Sequence, residues 1–120
     1  MTEKLKFKSD AQVRREMEGM GYCQERNLWQ KERVGPNADV VVVYVQYVPC
    51  TTRDEVKERH VGEYMGHVTI KRSGVLRDYV NISGTCFSED LEGLERDLKR
   101  RMREYGKFIL DMFGGDDADH

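Results

Sequence analysis

Hydrophobic and polar positions divide the chain into segments of distinct period. Residues 4–8 alternate Lys-Leu-Lys-Phe-Lys, a short strand or an extended lead-in. Ser9 then precedes Val13, Met17 and Met20, spaced as one face of a helix, with Gln12 at the capping-box position and Gly21 as the stop. This predicts a helix over residues 10–20. Residues 22–34 lack clean alternation; Leu28 and Trp29 suggest a short edge strand or a loop packed on the core, ahead of a turn at Gly35-Pro36-Asn37. Residues 38–48 form the strongest strand pattern. Val40, Val42 and Tyr44 share one face, and Val41, Val43, Val45 and Tyr47 the other. Apolar residues on both faces predict a central strand covered on both sides.

Pro49 ends that strand, and the charged segment from Thr51 to His60 suits one or two turns of exposed helix. Residues 64–71 alternate again, with Tyr64, Gly66, Val68 and Ile70 opposite Met65, His67, Thr69 and Lys71. Ser73-Gly74 has the chemistry of a tight hairpin turn. The return strand, 77–87, sets Val80, Ile82 and Cys86 against Arg77, Tyr79, Asn81, Ser83 and Thr85. Ser88 is then placed to cap a long helix whose stripe runs Leu91, Leu94, Leu98, Met102, Tyr105, Ile109 and Met112. The order predicts an α+β fold: an antiparallel sheet of three to four strands, with an N-terminal helix and a long C-terminal helix packed on one face. Residues 1–113 form this single domain, and 114–120 an acidic disordered tail.

Composition sharpens the picture in three places. At 120 residues, the chain is one domain's worth of sequence. Its net charge of −2 disfavours a nucleic-acid binder, but that charge is unevenly spread. Residues 111–120 hold four aspartates and no Lys or Arg, so residues 1–110 carry +2. The three cysteines, Cys23, Cys50 and Cys86, are odd in number and show no Cys-x-x-Cys spacing, which points to an intracellular, reduced protein. The N-terminal residues lack the apolar run of a secretory signal, and no apolar stretch reaches the roughly 18 residues of a membrane span.

Four features are candidates for function. The hairpin presents His67, Thr69 and Lys71 beside Arg72, Arg77, Tyr79, Asn81, Ser83 and Thr85. Hydroxyls, amides and cations of this kind suit ribose 2′-OH groups and phosphates, the features by which duplex RNA is read; equally, polar residues line the solvated side of any antiparallel sheet. Arg96, Arg100, Arg103 and Lys107 form a basic stripe on the last helix, either phosphate contacts or a solubilising outer face. Trp29, the lone tryptophan, is either a stacking platform for a base or a core anchor. The valine strand needs cover on its second face, from a second copy of the chain, from residues 22–34 or the N-terminus folding back, or from a protein partner that an antagonist or adaptor would bind there. His60, His67 and His120 and the cysteines lack metal-ligand spacing, and no glycine-rich loop opens a helix. A hydrolase or transferase using His67 with a nearby Ser or Cys rests on composition alone. The expectation is therefore a non-enzyme without cofactor or small-molecule substrate.

Val-Val-Val-Val-Tyr-Val-Gln-Tyr at 40–47, Val-Thr-Ile-Lys-Arg at 68–72, and Val-Asn-Ile-Ser-Gly at 80–84 ahead of a helix with Leu91 and Leu94 carry a resemblance. Over about residues 38–112 the chain resembles the RNA-silencing suppressors of plant tombusviruses and aureusviruses. The resemblance implies a homodimer whose joined sheets clamp short double-stranded RNA independently of sequence and sequester small interfering RNA in the host cytoplasm. It puts Thr69, Lys71, Asn81 and Ser83 on the RNA-facing side and the last helix in the dimer contact. Two features depart from that family: it caps duplex ends with paired tryptophans in an N-terminal helix, where this chain has only Trp29 outside its first predicted helix, and its strand matching 40–47 is basic where this one is uncharged.

Overall fold

The structure, a computed structural model, describes residues 7–26, 28–34, 40–49, 52–71 and 79–103, with Tyr79 as backbone only. The predicted turns at 35–37 and 73–74, the last helix beyond 103 and the acidic tail lie outside the described residues. No helix among the described residues is long and apolar enough to cross a membrane.

The first helix, α1 (Asp10–Gly19), begins where the Ser9 side chain accepts the Gln12 N–H at 3.1 Å. It ends where Gly21 turns the chain at φ 91° and the Tyr22 N–H reaches the Met17 carbonyl. The chain continues through β1 (Cys23–Glu25), β2 (Leu28–Val34), β3 (Val40–Tyr47), α2 (Glu55–Glu58), β4 (Tyr64–Lys71), β5 (Tyr79–Asn81), β6 (Cys86–Ser88) and α3 (Leu91–Arg101). The cap of α3 is Asp90, which accepts the Gly93 N–H, rather than the expected Ser88, which pairs with Tyr64 at the end of β6.

Among the described residues the sheet is antiparallel with six strands, in the order β1-β2-β3-β4-β5, and β6 also pairs with β4. The expected three to four strands undercount it for two reasons. Residues 23–34 fold as a hairpin onto β3, and the return strand is split into β5 and β6. The two faces of β3 and β4 are those that alternation predicts, because a strand's side chains alternate by geometry. Val41, Val43 and Val45 of β3, Tyr64 and Val68 of β4, and Trp29 of β2 share one buried cluster with Val13 and Met17 of α1 and Leu91, Leu94, Leu98 and Met102 near α3. Trp29 is 7% exposed in that cluster, so it is a core anchor and not a stacking platform.

The contact between α3 and β4 is close at Gly66. A methyl group there would stand 2.9 Å from the Tyr44 carbonyl oxygen and 3.0 Å from Leu94 Cδ2. Two polar clusters tie the helices to the same face. Glu95, only 2% exposed, accepts from Tyr22 Oη at 2.7 Å and from Lys31 Nζ at 2.7 Å. Lys31 Nζ also donates to the Met20 carbonyl at 3.2 Å and lies 4.5 Å from the Tyr22 ring centroid. Burial, and then the neighbouring Glu95 carboxylate, push the Tyr22 hydroxyl far above its ordinary range. On α1, Glu16 accepts from Tyr64 Oη at 2.6 Å and Lys8 Nζ at 2.7 Å. Burial alone would raise the Glu16 carboxyl, but hydrogen bonds from Lys8, Tyr64 and Gln12 outweigh it and hold the group below its ordinary 4.5.

Candidate nucleic-acid interface

The second face of the sheet, opposite α1 and α3, follows from the registers. Across it, Gln30, Tyr44 and His67 align; so do Glu32, Val42, Thr69 and Asn81; so do Val34, Val40, Lys71 and Tyr79. Gln46, Met65 and Phe87 align at the other end. There the segment after β3 folds back: Lys57 Nζ donates to Gln46 Oε1 at 3.2 Å, and the His60 ring stacks on Phe87 at 3.6 Å while its Nδ1 meets Glu63 at 2.8 Å.

The candidate residues on this face fare differently. His67 is half-buried, with its ring centroid 5.3 Å from that of Tyr44. Burial pulls its imidazole below the ordinary 6.5, so near neutral pH it is an uncharged donor and acceptor. Thr69 is 5% exposed and Val42 beside it 4%, so the centre of the face is buried and the Thr69 hydroxyl offers little to a ligand. Lys71 is half-buried; Asn81 and Thr85 are exposed. Arg72 and Arg77 lie outside the described residues, and of Tyr79 only the strand position is described.

Ser83 departs from the expected pattern. It is 7% exposed, and its hydroxyl accepts the Val68 N–H at 2.8 Å and donates to the Gly84 carbonyl at 2.6 Å. The cause is a bulge. The Ile82 N–H still reaches the Val68 carbonyl, and Cys86 is opposite Gly66. Between those two points β4 contributes His67 alone, while the return strand contributes residues 83–85. The serine hydroxyl takes the Val68 N–H that the Ile82 carbonyl would accept in an unbroken ladder. Asn81 Oδ1 closes the bulge from the other side, accepting the N–H groups of Ser83 at 3.1 Å and Gly84 at 2.8 Å. Gly84 takes φ 74°, which favours glycine. Two extra residues preserve the period of two, so Cys86 still faces the core as Ile82 does.

No known protein family, curated protein or solved structure matches the chain.

The basic stripe does not join this surface. Arg96, Arg100 and Arg103 are exposed on or next to α3, which packs on the opposite side of the sheet, and Arg100 lies 3.7 Å from Asp97. Lys107 lies outside the described residues. Tyr44 is the functional candidate that residue patterning left out: alternation grouped it with Val40 and Val42, and only the β3–β4 register places it beside His67. Among the described residues no cluster of His, Cys, Asp or Glu is arranged to hold a metal ion. Cys86 is buried, and burial pushes its thiol up, away from the reactive thiolate, whereas Cys23 is exposed on β1.

Proposed function

We propose that the protein binds double-stranded RNA independently of sequence, as a homodimer, through the second face of its sheet, and acts by sequestering short duplexes as a suppressor of RNA silencing. The observation that supports this reading best is the register. Tyr44, His67, Lys71 and Asn81 come from three strands and stand together on the face opposite α1 and α3. An A-form duplex offers phosphates and 2′-hydroxyls along a wide minor groove, and a broad sheet with amide, imidazole, phenol and ammonium groups meets those without reading bases. The resemblance over residues 38–112 supports the same partner. The contact set is narrower than the pattern of residues implies: Lys71, His67, Tyr44 and Asn81 carry it, while Ser83 and Thr69 shape the face from within.

The test is a gel shift with a short RNA duplex and the DNA duplex of the same sequence, each at two salt concentrations. RNA binds more tightly, and affinity falls with salt. Lys71→Ala weakens binding and lowers the slope of log affinity against log salt by about 0.9 for each phosphate no longer neutralised, on the duplex-DNA scale. Absence of any RNA shift at low salt rejects the reading. A second reading has one observation of its own: Val34, 65% exposed, pairs with half-buried Val40 at the margin of this face. That apolar margin suits a protein partner of an antagonist or adaptor. Binding to a host protein that withstands nuclease and high salt, and is lost in Val34→Asp, selects it.

A further inference from the structure

The bulge opposite His67 is held from the far side of the sheet. Arg101, at the C-terminal end of α3, donates from Nη1 to the Ser83 carbonyl at 2.8 Å. The same nitrogen closes over the turn, since a methyl group on Gly84 would stand 3.0 Å from it. The bulge thus has three constraints of separate origin: Asn81 from the outer face, the Val68 N–H from β4, and a guanidinium from the helical layer. A bulge re-aims the side chains around it, and here it sets three residues against His67 alone.

We propose that Arg101 is a positioning residue for the outer face: its bond to the Ser83 carbonyl fixes the bulge that frames His67 and holds Asn81 in place, which couples the end of α3 to a surface it does not touch. The claim about the outer face's ligand rests on the RNA reading above; the claim about His67 does not. Without the guanidinium, the Ser83 carbonyl turns toward water, the 83–85 segment loosens, and His67 gains solvent. Asn81 remains bonded to a turn whose position is no longer defined. The partner is still a sugar–phosphate duplex, but its grip depends on a helix on the other side of the sheet.

Two measurements on the full chain test this. The first follows the His67 ring by proton NMR across pH, without RNA. Arg101→Gln and, by an independent route, Gly84→Ala both raise the His67 midpoint toward its ordinary value as burial is relieved. Arg15→Gln, which removes the same charge from an exposed site on α1, leaves it in place. The second is the duplex gel shift: Arg101→Gln loses about fivefold more affinity than Arg15→Gln, the scale of one net hydrogen bond. If Arg101→Gln does not fold, Arg101→Lys keeps the charge without the forked donor and takes its place. A His67 midpoint that stays put in folded variants at both positions overturns the proposal. So does equal loss of RNA affinity in Arg101→Gln and Arg15→Gln. If the native protein binds no duplex RNA, the RNA reading falls and the His67 titration alone decides the role of Arg101.

Discussion

Glu95→Ala should be among the most destabilising single changes in this chain. The carboxylate is buried and accepts from Lys31 Nζ and Tyr22 Oη, both at 2.7 Å. Each such charge-assisted bond contributes about 1.5–3 kcal/mol net, and removing one partner of a buried pair costs about 3–5 kcal/mol because the other charge is stranded. Lys31 retains the Met20 carbonyl and the Tyr22 ring face, which moderates the loss. The expected cost is therefore about 3 kcal/mol, at the lower end of that range. For a chain of this size it corresponds to a melting temperature lower by roughly 12 °C. Urea unfolding followed by circular dichroism measures it, and the slope with urea should stay constant while the midpoint falls. A double-mutant cycle with Lys31→Met separates the pair from its surroundings. The double variant should be less destabilised than the sum of the singles by about 2 kcal/mol, since removing both charges strands neither. A loss below about 1 kcal/mol for Glu95→Ala, the range of an exposed ion pair, would refute the argument that this pair is a buried tie.

Other consequences follow from the same structure. His67 has a folded-state pKa below its ordinary 6.5 because it is buried, so the unfolded chain binds the proton more readily. Its contribution to stability is present above about 6.5 and lost as pH falls toward the folded-state value; a urea series across that window shows the loss, and His67→Gln flattens it. Trp29→Ala should cost about 3–5 kcal/mol as a core truncation. Trp29→Phe should instead fold and bind duplex RNA as the native protein does, whereas a gel shift in which the folded Phe variant loses binding would return Trp29 to the interface.

Parts of this architecture are open to reading from residues alone. Ser9 sets the start of α1 and Gly21 its end, because capping chemistry acts within one turn, although the Gln12 side chain bonds Glu16 and closes no capping box. Leu91, Leu94, Leu98 and Met102 recur at helical spacing and are all buried. The faces of β3 and β4, and with them the company that Lys71 keeps with His67, follow from alternation. The segment 23–34 is different. Its core-facing positions on β2 include Trp29 and Lys31 in alternation, and a lysine on the apolar side destroys the pattern that marks a strand. What makes Lys31 acceptable there is Glu95, 64 residues away, itself a charged residue in the middle of an apolar helical stripe. Neither is intelligible without the other. Ser83 is equally opaque: a hydroxyl at a polar-face position reads as surface, and only the register on either side of it reveals two extra residues and an inward turn.

The sequence by itself determined the periods: where a helix of 3.6 residues per turn or a strand of two per repeat buries an apolar face, and how the residues of β3 and β4 divide between two sides. Those are properties of a single backbone segment and need no partner. The tertiary structure alone decided which charged residues could be buried, that Trp29 belongs to the core, that the return strand breaks around Ser83, and that Tyr44 stands beside His67. Each of these depends on a contact between segments distant in the chain, and the free energy of burying a polar group is set by the partner it meets there rather than by its neighbours in sequence.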